Sequence, residues 1–170
     1  HKVFSSVDFV SYIHGLVSNY PIVSIEDPFA EDDWQSWSSF MDIAPKDLQV
    51  LGDDLLTTNS ERLKRAIKEQ AANSILIKPN QAGTLHSALT ALTTAKSAKW
   101  GTVVSARSGD TEESWLVDLA VGSNAGQIKV GSTHRSERSA KWNRLLELSH
   151  FATAPYIGKA ALSHVRELNF

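Results

Sequence analysis

The sequence predicts an α/β fold of successive parallel β/α units, and three observations predict it. Helical stripes alternate with short apolar, β-branched runs from one end of the chain to the other. The runs open near residues 21, 47, 74, 101 and 126, a step of about 25–27 residues that suits one βα unit. Each run also ends in a residue able to do chemistry: Glu26, Asp53, Lys78, Arg107 with Ser108, and Lys129. Polar groups at the carboxyl ends of parallel strands are how a β/α barrel assembles one active site.

The elements follow in order. Phe9, Ile13, Leu16 and Val17 form a helical stripe within residues 6–18. Residues 21–27 are a short apolar run ending in two carboxylates. Trp34, Trp37, Phe40 and Met41 recur at helical spacing within 31–43, and residues 47–54 give the second strand. Thr58 and Asn59 offer caps for a helix that carries Leu63, Ala66 and Ile67 on one side. Residues 74–80 are the third strand, whose ladder Pro79 stops just after Lys78. Leu85, Ala88, Leu89 and Leu92 mark a helix, 101–106 a strand, and 111–122 a helix with Trp115, Leu116, Leu119 and Ala120. The fifth strand is 126–131, and Trp142, Leu145 and Leu146 belong to a last long helix. The strands read as apolar on both faces, as strands inside a parallel sheet do.

Five strands do not close an eight-stranded barrel. The pattern fits either an open doubly wound sheet or the later part of a barrel. An open sheet concentrates function at one switch point, whereas here five consecutive strands end in polar groups, which favours the barrel.

Composition narrows the function classes. The 170 residues suit one domain, and 42% apolar residues are enough for a core. A net charge of −2, with 17 basic residues dispersed among 19 acidic ones, excludes a nucleic-acid footprint. Cys is absent, so neither disulfides nor thiolate metal sites form. No apolar run approaches the roughly 20 residues of a membrane span. A soluble cytoplasmic protein is the expectation. The chain does not begin with Met, which suggests an excerpt or a processed chain.

Glu26 and Asp53 are oxygen donors at separate strand tips, a set that suits a hard cation such as Mg2+. Taken singly, acidic pairs at strand ends also serve as helix caps or stay solvated. Lys78 follows Ile75-Leu76-Ile77, where lost solvation favours the neutral amine that a general base requires. Lys129 repeats the arrangement, and two such lysines form a cradle for an anion. Arg107 and Ser108 suit phosphate binding, or equally a polar turn. The six His residues show no metal-ligand spacing, and His134 reads as a solvated loop residue. The five Trp residues read as packing against the sheet.

Segments 20–34, 52–59, 76–85, 103–114 and 126–146 together resemble the C-terminal half of an enolase in order and spacing across nearly the whole chain. The resemblance implies the later strands of an enolase-type β/α barrel, about five βα units and incomplete as a barrel, with residues 1–170 forming a single segment. It also implies Mg2+-dependent dehydration of 2-phosphoglycerate in a full-length parent. Matched by motif, Glu26 and Asp53 hold the first Mg2+, Lys78 removes the proton and Lys129 binds the substrate carboxylate. Arg107 and Ser108 hold the phosphate. A small phosphorylated substrate and a homo-oligomeric parent are implied as well. One position departs: the family's Ser-His-Arg-Ser-Gly is here Ser105-Ala106-Arg107-Ser108-Gly109. The third metal carboxylate and the N-terminal domain of the resembling family lie outside the chain, so residues 1–170 alone are expected to be inactive. The resemblance leaves room for a homologue with a changed substrate, of phosphonate-pathway type, or a non-catalytic scaffold.

Overall fold

The computed structural model describes residues 3–151 and 155–165. Five parallel strands lie in chain order, β1 Ser24–Glu26, β2 Gln49–Gly52, β3 Ser74–Ile77, β4 Gly101–Ser105 and β5 Gly126–Lys129. Helices α1 Ser6–Asn19, α2 Trp34–Ile43, α3 Ser60–Glu69, α5 Leu85–Ser97, α6 Trp115–Gly122 and α7 Ser136–Phe151 alternate with them. A short helix α4, Pro79–Ala82, and a 3-10 helix, Gly158–Leu162, complete the described elements.

Local signals account for the boundaries. Asn59 caps α3 by accepting the N–H groups of Glu61 and Arg62, and Thr84 caps α5 through Ser87. Pro79 does stop the third strand, and it then opens α4, a turn of helix that periodicity in the sequence does not reveal. The expected helix over 111–122 starts only at Trp115, because Asp110 turns back to accept the N–H of Thr111.

Strand alternation divides the side chains into two layers. Val50, Ile75, Ile77 and Val104 point outward into the main core with Trp37, Phe40, Leu63, Ala66, Ala88 and Leu92 of the helices. Leu51, Leu76 and Val103 form a small cluster on the other face. That inner face also carries the alternate positions that become polar: Gln49 and Asp53 on β2 and beyond, Ser74 and Lys78, Gln127 and Lys129. The inner face is concave. Gln49 and Gln127 exchange amide hydrogen bonds of 3.1 and 2.8 Å although β3 and β4 separate their strands. A flat sheet would hold β2 and β5 about 14 Å apart at the usual strand spacing. The sheet is therefore curled into part of a barrel, and the fold is the incomplete β/α barrel rather than the open doubly wound sheet.

The expectation that all strands are buried on both faces holds for β2, β3 and β4 alone. β1 and β5 are largely exposed. Among the described residues each has a strand neighbour on one side only, and the 3-10 helix packs against β5 without adding a strand.

Candidate active site at the carboxyl ends of the strands

Four of the six residues singled out by sequence meet as two ion pairs at the carboxyl mouth of the curl. Lys78 Nζ donates to Asp53 Oδ2, and both side chains are buried. Lys129 Nζ donates to Glu26 Oε1 at 2.5 Å, with both groups partly exposed. Each ammonium thus neutralises one carboxylate, and the two pairs share one opening.

The backbone explains how Asp53 is aimed. Asp27, the residue after Glu26, stands at a left-handed φ of 43° that turns the chain sharply at the end of β1. Its two carboxylate oxygens accept the N–H groups of Asp53 and Asp54, both at 2.9 Å. Burial raises the Asp27 carboxyl above the ordinary aspartate range, and the two amide hydrogen bonds oppose that rise. Carboxylate oxygens of Glu26, Asp27 and Asp53 lie within 4.8 Å of one another. Asp27 has both its oxygens committed to amides, so its part in the cluster is a clamp on β2.

The cluster fits a hard cation through the other two residues. Asp53 Oδ1 is buried and has no hydrogen-bond partner, which is rare for a carboxylate oxygen away from water. A carboxylate oxygen of Glu26 lies within 4.8 Å of one of Asp53. Two carboxylates this close, one with an unpartnered oxygen, are a donor set suited to Mg2+, which takes only a few protein ligands.

Arg107 and Ser108 occupy the exposed loop after β4 and make no hydrogen bond to the other site residues. Together with Ala106, Lys129, Gly131 and Arg138 they line a cleft of about 110 Å3. The cleft is the size of a small anion's subsite, and Arg107, Lys129 and Arg138 give it three cationic walls against Asp110 and Glu137. A larger cavity of about 450 Å3, lined by Trp142, Leu145 and Tyr156, lies against β5 on the helical side and has no convergent titratable groups. The chemistry-bearing residues mark the site better than cavity size does.

Several contributors escape a reading of the sequence. Asp27 stands beside Glu26, but nothing in the string tells which carboxylate faces inward. Arg138 enters the cleft by packing along Gly131, whose φ is 80°. Lys141 is fully buried in α7 and donates to the carbonyl of Thr111, tying that helix to the loop that carries Arg107 and Ser108. His134 is exposed, as expected. His164 hydrogen-bonds with Ser74 at 2.8 Å, at the opposite end of the strands from the site.

Among the described residues, no helix is long and apolar enough to cross a membrane. The sequence profile of the family described as "Enolase, C-terminal TIM barrel domain" matches residues 1–165, and the chain belongs to the enolase family.

Proposed function

We propose that the chain contributes the base, two metal carboxylates and the anion-binding side of a Mg2+-dependent enolase-type lyase, acting in its full-length protein on 2-phosphoglycerate to give phosphoenolpyruvate. The convergence of Glu26, Asp53, Lys78 and Lys129 on one mouth carries the reading. Family membership supports it. The same reading entails a cytoplasmic homo-oligomer with residues 1–170 as one structural segment.

In this reading Glu26 and Asp53 would hold Mg2+. When bound, the ion supplies positive charge where the substrate carboxylate gains negative charge. Lys129 adds to that charge and orients the carboxylate. Lys78 takes the proton from the carbon next to it, the burial of its side chain keeping competing water away. Its pairing with Asp53 is a resting arrangement: the ammonium must leave the carboxylate and release one proton to solvent before the neutral amine accepts the proton from carbon. Arg107 and Ser108 hold the phosphate from the loop after β4, and the leaving hydroxide departs from the neighbouring carbon.

A second reading follows from Ala106. Ala106 is among the residues lining the cleft, and it offers no side-chain donor where the family pattern has an imidazole. Hydrogen bonds to charged groups contribute about 1.5–3 kcal/mol, roughly ten- to a hundredfold in rate. In this second reading the substrate is a related one, of phosphonate type, that needs no donor there. A dehydration assay on the full-length protein, with and without Mg2+, tests both. Mg2+-dependent turnover of 2-phosphoglycerate that rises in Ala106→His supports the first reading. Metal binding without turnover in either form rejects it.

A further inference from the structure

The β2–β3 ladder stops early, and one side chain takes the place of the missing strand. The paired positions are Leu51 with Ser74 and Gly52 with Ile75. The same register would set Asp54 opposite Ile77. Instead β2 turns away at Asp53, whose carbonyl accepts the N–H groups of Leu56 and Thr57. On its far side β3 stays paired, Ile77 facing Val104. In a parallel ladder, a neighbour facing Ile77 would donate to the carbonyl of Leu76 and accept the N–H of Lys78. The hydroxyl of Thr58 does both: Lys78 N donates to Oγ1 at 2.9 Å, and Oγ1 donates to Leu76 O at 3.2 Å.

Two further observations show that the arrangement is held in place. Thr58 is almost wholly buried, so neither backbone group has water as a substitute partner. Thr57 and Thr58 both adopt left-handed φ values, 49° and 53°, which β-branched residues rarely take. The chain accepts this conformation where it returns the hydroxyl to the end of β3. The early turn frees Asp53 to face the Lys78 side chain, and Thr58 holds the Lys78 backbone so that the two meet.

We infer that Thr58 is a positioning residue for Lys78, standing in for a strand neighbour at the point where β2 leaves the sheet. The catalytic part of this inference rests on the reading of Lys78 as the base. Thr58→Val keeps the shape and removes the hydroxyl, whereas Thr58→Ser keeps the hydroxyl. Exchange of the Lys78 amide, followed by NMR, is expected to quicken at least about tenfold in Thr58→Val, with the Ile75 amide unchanged. In the full-length protein kcat is expected to fall about 10- to 100-fold, with KM within about threefold, as for loss of orientation without loss of binding. Thr58→Ser is expected to recover both. A Thr58→Val protein with a protected Lys78 amide and full kcat overturns the inference. So does a Thr58→Ser protein that loses as much as Thr58→Val. Absence of turnover in the wild-type protein rejects the proposed reaction instead, and the amide exchange then decides by itself whether Thr58 holds Lys78.

Discussion

Lys129 Nζ sits 2.5 Å from Glu26 Oε1, so the fifth strand is tied to the first across the mouth of the curl. The pair is 48% and 32% exposed, and pairs so open to water stabilise a fold by less than about 1 kcal/mol. Its importance lies in what it occupies. Glu26→Gln is expected to change unfolding free energy by less than about 1 kcal/mol in urea melts. The same substitution is expected to weaken Mg2+ binding by at least about tenfold, or 1.4 kcal/mol, in calorimetric titration. Unchanged Mg2+ affinity would remove Glu26 from the metal site.

The Asp53–Lys78 pair behaves differently because it is buried. Breaking such a pair from one side leaves a charge with neither water nor partner and costs about 3–5 kcal/mol. Lys78→Ala is expected to lose stability of that order as well as turnover. Lys78→Met combined with Asp53→Leu is expected to recover most of the stability and none of the activity, since apolar groups replace both charges. Denaturant melts of the single and double variants separate the two effects. A single variant as stable as wild type would show that the pair is solvated in solution.

The curl has its own test in Gln49 and Gln127. Gln49 is buried, and its amide nitrogen also donates to Ser24 at 2.8 Å. Replacing Gln127 with Leu leaves the buried Gln49 Oε1 without its partner at a cost of about 1–3 kcal/mol, whereas Gln49→Leu costs less because Gln127 is half-exposed. The double replacement is expected to cost less than the sum of the two, with a coupling of about 0.5–3 kcal/mol. Strict additivity in a double-mutant cycle would mean that the two amides do not meet.

Much of this architecture was legible because it depends on local rules. Strand alternation alone groups Gln49, Leu51 and Asp53 on one face, and Ser74, Leu76 and Lys78 beside them. The cap at Asn59 and the stop at Pro79 are written in single residues. What was not legible depends on register and on distant packing. The turn at Asp27 is visible only once β1 and β2 are aligned, because its partners are the amides of Asp53 and Asp54. Thr58 reads as a helix cap in the string, yet Asn59 caps and Thr58 completes the β3 ladder. The exposure of β1 and β5 follows from their place at the sheet edges, which composition does not encode.

The contact between His164 and Ser74 predicts a pH dependence at the end of the strands remote from the site. The imidazole packs so close to Gly101 that a Cβ there would lie 2.5 Å from its ring atoms, and Ser74 Oγ is 2.8 Å from Nε2. Burial lowers the His164 pKa below its ordinary 6.5, a hydrogen bond with the Ala161 backbone opposing the shift in part. A lowered folded value means that the unfolded chain binds the proton first. Stability from this contact is therefore complete above pH 6.5 and declines as pH falls below it, towards the lowered folded value. Partial exposure keeps the effect small, about 1–3 °C in Tm between pH 7.5 and 5.5. His164→Gln retains a hydrogen-bonding group and does not titrate, so its melting temperature is expected to vary less over that range. Equal losses in the two proteins would assign the pH dependence to other groups.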